Sequence, residues 1–334
     1  MFFAVIQLFS GIAVFLYGLK TISKGAENLI VNVNPKTFGG FVDKPIKGAM
    51  LGGVVAGVTQ SSVAVSFITV GLVDLGVVSF VNSVPIIMGA NVGTTITAQL
   101  VSLSGASGAI IGAMSSIIGL LVGFSKNKLA ISLSDALFGL GFIFVGLSII
   151  DREILALVEV VWLKNLFLIN RPLVLVLNGL VITAIVQSSS AVTGIMIILA
   201  GKGLVTFKSA VFLTLGANVG SCFSVVFASL NKSLPARRAS VFNLVFNCLG
   251  AIMFLPIALF FSDYLCSIFL KGSADVKRAI ANFHTVFNFL CAIMFLPFYR
   301  LLAKLITKLV KENHVNGREI SSNKTFTSKS RRFY

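Results

Sequence analysis

Charge is scarce in this 334-residue sequence. Only 11% of its residues are charged, against about 25% in a soluble globular chain. Histidine occurs twice, at His284 and His314, and neither HExxH nor G-x-S-x-G is present. The four cysteines, Cys222, Cys248, Cys266 and Cys291, form no CxxC pair and lie in or beside apolar stretches. They read as small helix residues, so neither a disulfide frame nor a zinc site is expected. An enzyme is unsupported by this inventory. The net charge of +16 is not a nucleic-acid footprint, because the Lys and Arg residues lie between and beyond the apolar runs.

What fills the chain instead is apolar: 56% of residues, with a mean hydropathy of +0.98. Uncharged runs cover residues 1–19, 48–73, 75–125, 172–201, 209–231, 239–262 and 279–299. Several exceed the roughly 20 residues that a spanning helix needs. A β-barrel would show short alternating segments. The fold class is therefore all-α, a polytopic membrane protein with about 8–10 membrane segments. The first run has no basic residue ahead of it and no small-residue cleavage site, so it reads as a retained helix. Nine of the 27 Lys and Arg residues follow Tyr299, and residues 20–47, read as a loop, hold five more. Such a basic tail belongs on the cytoplasmic side, where anionic lipid attracts it.

The chain also repeats itself. "TQSSVAVS" at 59–66 has a partner, "VQSSSAVT", at 186–193, and "GANVGTT" at 89–95 has one in "GANVGSC" at 216–222. Gln60 to Gln187 and Asn91 to Asn218 are both steps of 127 residues. "FLYGL" at 15–19 and "IFVGL" at 143–147 differ by 128. A duplication follows, with a first repeat over 1–127 and a second over 128–262. A shorter repeat relates 237–256 to 278–297 and sets Arg237, Asn243 and Asn247 against Arg278, His284 and Asn288. Residues four apart share a helix face, so these polar pairs read as a seam between two packed helices.

Paired polar clusters inside apolar runs are what repeat-built transporters show, with sites near the midplane where helices break. Gly48, Gly52, Gly53 and Gly57, Gly89 with Gly93, Gly194, and Gly216 with Gly220 are the expected breaks. Hydroxyl and amide oxygens suit a hard cation, and their hydrogens suit an oxyanion. The runs that hold the motifs contain no Lys or Arg, which favours cation-coupled anion transport. Asp74, between Gly71 and Gly76, reads as a turn at the membrane edge.

The two Gln-Ser-Ser elements, each followed by a Gly-Ala-Asn-Val-Gly element, resemble the sodium–phosphate cotransporter family over about residues 10–300. The resemblance implies two inverted repeats with broken or re-entrant helices and sodium-coupled transport of inorganic phosphate. An exporter of the same fold, or a carrier or channel for another oxyanion, is the alternative. No organic cofactor is implied; sodium is the coupling ion. By resemblance the phosphate and sodium site falls on Gln60, Ser61 and Ser62, and on Gln187, Ser188, Ser189 and Ser190. Asn91, Thr94, Thr95, Asn218 and Ser221 fall nearby. One departure is Val63, which stands where the family's first element has a further serine. Another is the C-terminal end. Residues 263–305 read as one extra membrane helix and 306–334 as a disordered basic cytoplasmic tail, with no regulator-like domain. The expected setting is a bacterial inner membrane, with anionic lipid at the tail and a homo-oligomer allowed.

Overall fold

The computed structural model describes residues 2–30, 42, 44–153, 171–272 and 275–311. Fourteen α-helices make up the described chain, and no strand occurs among the described residues. In order they are α1 (Phe2–Ile30), α2 (Pro45–Thr59), α3 (Ser62–Asp74), α4 (Phe80–Gly93), α5 (Thr95–Ser102), α6 (Ala106–Gly123) and α7 (Lys128–Glu153). Then come α8 (Pro172–Val186), α9 (Ser189–Gly201), α10 (Phe207–Ala228), α11 (Leu234–Phe260), α12 (Ser262–Lys271), α13 (Val276–Phe295) and α14 (Tyr299–Leu309). Among the described residues six stretches are long and apolar enough to cross a membrane: 3–25, 80–102, 128–153, 207–228, 234–260 and 276–309. The chain is a multi-pass membrane protein.

The 127-residue step reappears in the helix bounds. α2, α3 and α4 start at 45, 62 and 80; α8, α9 and α10 start at 172, 189 and 207. Packing repeats as well. A Cβ on Gly89 of α4 would collide with the carbonyl oxygen of Ala49 on α2, and one on Gly216 of α10 with that of Val176 on α8. Gly93 meets Gly53, and Gly220 meets Leu180, one turn further along both helices. Contacts that advance together on both partners mean that α2 runs parallel to α4, and α8 to α10. The glycines therefore sit inside the helices and let backbones approach, as small residues do between membrane helices. Of the expected breaks only Gly93 stands at one, where α4 ends and α5 begins.

Polar contacts fix the direction of each repeat. Asp74 ends α3 beside the loop that opens α11, accepting the Ser233 backbone N–H at 2.8 Å and facing Lys232 at 3.0 Å. The first residues of α4 lie at this same end, because Val81 borders a groove with α14. This is the basic end of the bundle, with Lys232, Arg237, Arg238, Arg300, Lys304 and Lys308. α9 finishes at the opposite end, where Gly201 touches Lys277 at the start of α13. Lys202 there pairs with Asp151 of α7 at 3.0 Å, and Lys277 donates to the Ser104 carbonyl just past α5. So α2 rises from the basic end, α3 returns to it, and α4–α5 crosses to the far end. α8, α9 and α10 make the same path from the far end. The repeats are inverted, and each contains a re-entrant pair of short helices.

Three sequence expectations change. Lys20 and Lys24 belong to α1, which continues through Ile30, rather than to a loop. Both side chains are exposed, and long basic side chains can lie along a helix while their heads reach water. The polar seam does not join α11 to α13; each lays its asparagines against α10 instead. Asn247 Nδ2 donates to Cys222 Sγ at 3.2 Å, and Asn218 Nδ2 donates to Asn288 Oδ1 at 2.8 Å. The C-terminal stretch holds three helices, α12 to α14, with a turn at Leu296–Phe298, and helix continues through Leu309. The segment around Lys164 and the tail beyond Lys311 lie outside the described residues.

Candidate functional site

The site begins with a backbone peculiarity. Among the described residues only Gln60 and Gln187 combine a side chain with a positive φ. Gln60 caps α2 at φ 54°, ψ 26°, and Gln187 caps α8 at φ 59°, ψ 20°. Each is followed by an extended serine, Ser61 or Ser188, at φ −145°, ψ 105°. The left-handed cap stops one helix and the extended residue starts the next. Ser61 Oγ accepts the Ala64 N–H at 3.0 Å and Ser188 Oγ accepts the Ala191 N–H at 3.2 Å, the ordinary N-cap bond. Glycine takes this conformation without strain; a glutamine held in it twice is a reason to look for function.

Depth follows from length. α2 and α3 have 15 and 13 residues, as do α8 and α9. At about 1.5 Å per residue each is roughly 20–22 Å long, short of the roughly 30 Å hydrocarbon layer. The two glutamine corners thus stop inside the layer, approached from opposite ends. There they meet: Ser190 Oγ donates to the Gln60 carbonyl oxygen at 3.3 Å. This bond joins the two Gln-Ser-Ser elements across 130 residues of chain.

Burial is unequal around the junction. Gln60 is 7% exposed, and its Oε1 is buried without a hydrogen-bond partner. Gln187 is exposed. Ser62, Ser189 and Ser190 are buried. One turn further along α3 and α9, Ser66 Oγ and Thr193 Oγ1 are also buried and unpartnered. These are equivalent positions, the last letters of the two repeated octapeptides. The sequence reading passed over them, although Ser62 with Ser66 and Ser189 with Thr193 have the four-residue spacing of one helix face. Leaving a buried polar group unpaired costs about 1–3 kcal/mol. A glutamine carbonyl can only accept, so it suits a cation or a donated proton, while the hydroxyls serve either sign.

The asparagine elements behave differently. Asn91 Nδ2 donates to the Ile87 carbonyl at 2.9 Å. Thr94, Thr95 and Ser221 each donate to a carbonyl three residues back on their own chain. Asn218 is held by α13: its Nδ2 reaches Asn288 Oδ1 at 2.8 Å, and its Oδ1 lies 3.4 Å from His284 Nε2. No hydrogen bond joins Asn91 or Asn218 to either Gln-Ser-Ser element among the described residues. α4 breaks after Gly93 and resumes as α5 at Thr95, whereas α10 runs unbroken through Gly216 and Gly220. The structure therefore brings Gln60 and Ser190 together directly. His284 and Asn288, which the shorter repeat marked only as a seam, lie against Asn218. No cluster of three or more His, Cys, Asp or Glu residues occurs among the described residues.

Inverted repeats whose re-entrant corners meet within the bundle are the architecture of repeat-built membrane carriers. The chain belongs to the Na+/Pi-cotransporter family, whose profile matches residues 14–152 and 162–287. It is 30% identical to YqeW of Bacillus subtilis over 249 residues, 72% of this chain and 78% of that protein. It is 25% identical over 257 residues to YjbB of Escherichia coli, a protein named for inorganic phosphate export. That match takes in 75% of this chain but 46% of YjbB, so the chain spans less than half of that relative. Over 86 residues, 25% of this chain, it is 36% identical to the human sodium-dependent phosphate transport protein 2B, covering 12% of that protein. No solved structure matches the chain.

Proposed function

We propose that the protein carries inorganic phosphate across the membrane together with sodium, by alternating access around the junction of the two glutamine corners. The observation that carries this reading is the Ser190–Gln60 bond, flanked by the unpartnered Gln60 Oε1, Ser66 Oγ and Thr193 Oγ1. Membership of the Na+/Pi-cotransporter family supports phosphate as the substrate and sodium as the coupling ion. In this reading Gln60 Oε1 and the free hydroxyl oxygens ligate sodium. The phosphate takes hydroxyl and amide hydrogens from Ser62, Ser189 and Gln187, with sodium offsetting its charge.

The inverted arrangement supplies two gates. The α2–α3 pair is tied at the basic end by Asp74 and Lys232, and the chain after α9 is tied at the far end by Lys202 and Asp151. Partly exposed ion pairs of this kind contribute on the order of 1 kcal/mol, so either can open without a large barrier. The excess of Lys and Arg at the basic end supports a cytoplasmic position for that end.

The test is flux of radiolabelled phosphate into proteoliposomes under an inward sodium gradient, with choline as the control cation. Uptake that follows sodium supports the reading, and equal uptake in choline ends the coupling claim. A second reading, export, is favoured by the similarity to YjbB. Liposomes preloaded with phosphate decide it: efflux that is faster than uptake and indifferent to sodium selects export.

A further inference from the structure

We propose that α14 and the start of α4 form a binding site for an anionic phospholipid at the basic end of the bundle. The stretch 276–309 runs 34 residues, roughly 50 Å at 1.5 Å per residue against a hydrocarbon layer of about 30 Å, and its charges, Lys277, Arg278, Arg300, Lys304 and Lys308, lie outside the uncharged run 279–299. α13 alone, with 20 residues, crosses that layer. The turn at Leu296–Phe298 therefore delivers α14 to the headgroup region.

α14 has three faces. Leu302, Ala303 and Ile306 are buried and pack it down, and Arg238 Nε donates to the Val310 carbonyl at 3.1 Å, fixing its far end. Arg300, Lys304 and Lys308 recur every fourth residue and form an exposed basic stripe. None of the three meets an Asp or Glu among the described residues, where the ion pairs involve only Arg152, Lys202 and Lys232. Beside this stripe runs an exposed apolar one, Leu301, Leu305 and Leu309, at 55%, 46% and 71% exposure. The groove between α14 and Val81 of α4 has a volume of about 470 Å3.

This pairing selects the occupant. Unpaired cations at headgroup depth attract a phosphodiester, and the leucine stripe beside them accepts an acyl chain. A free inorganic phosphate would leave the leucines uncovered. A second copy of the chain would set one basic stripe against another.

Native mass spectrometry of the full-length protein tests the site, in micelles doped with equal phosphatidylglycerol and phosphatidylcholine. The wild type retains phosphatidylglycerol with about tenfold preference or more. The variant R300Q/K304Q/K308Q falls to parity. K126Q/K128Q, which removes exposed charge elsewhere on the same end, keeps the preference. The proposal is overturned by parity in the wild type or by preference surviving in the triple variant. An equal loss in the K126Q/K128Q control, or displacement of the lipid by millimolar inorganic phosphate, overturns it too. If the triple variant elutes as an aggregate, K304E alone carries the test, with loss of preference supporting the site and retention rejecting it.

Discussion

Ser190 is the side chain on which the two halves of the site converge. Its hydroxyl reaches the carbonyl of Gln60, and its counterpart in the first half is Val63, which has no hydroxyl. The hydroxyl of the junction bond therefore comes from the second half. Ser190→Val leaves the Gln60 carbonyl without its partner, at a cost of about 1–3 kcal/mol, which corresponds to roughly five- to a hundredfold in affinity. The expected outcome is near-complete loss of sodium-dependent phosphate flux per folded molecule, with an unchanged elution profile. Val63→Ser adds a hydroxyl at a half-buried position and keeps substantial flux. Parent-like flux in Ser190→Val would reduce the Ser190–Gln60 bond to packing. The buried oxygens of Ser66 and Thr193 were readable as helical neighbours of Ser62 and Ser189, but their lack of a partner depends on what the surrounding helices place beside them.

For helices, the informative contrast is between what turns the chain and what packs it. At the re-entrant corners glutamines turn the chain, while glycines of α4 and α10 pack it, the reverse of the ordinary expectation for these residues. Glycine was the natural guess because it takes positive φ without strain. Here the Gly89 and Gly216 positions are decided by a carbonyl of the neighbouring parallel helix, which no local pattern reports. Gly89→Val should therefore separate α2 from α4. Overpacking of this kind costs typically 1–3 kcal/mol, and more where backbone is the obstacle. Thermal unfolding in detergent, followed by fluorescence-detected size exclusion, should show a clear fall in midpoint. Gly71→Ala, where an added Cβ meets nothing, should leave it unchanged. A similar fall in both would mean that the α2–α4 approach is not the sensitive contact.

The whole molecule is organised by an odd number of crossings per repeat. α1 crosses to the basic end, the α2–α3 pair re-enters and returns, α4–α5 crosses away, and α6 crosses back. α6 and α7 run antiparallel, as Gly112 beside Phe144 and Gly123 beside Ser134 show. Three crossings leave the second repeat starting at the end opposite to the first. Single cysteines at Lys44, ahead of α2, and at Arg171, ahead of α8, in a background lacking the four native cysteines, should label from opposite faces of sealed vesicles. Labelling of both from one face would contradict the inversion.

Composition and repetition determined the membrane class, the helical content, the 127-residue duplication and the residues at the junction, because hydropathy and repeated spelling are local properties of a chain. Direction is not local. A direct and an inverted duplication have the same sequence signature, and only the parity of crossings, set by which short helices turn back within the layer, distinguishes them. The asymmetry of the site was likewise a tertiary decision. Gln60 is enclosed and Gln187 exposed although their backbones match within a few degrees, because burial is conferred by the helices that close over a residue. Asn218 and Asn91 stand at equivalent positions, yet α13 ties one through His284 and Asn288 while the other bonds its own helix. The third segment of the chain breaks the symmetry that the first two were written with.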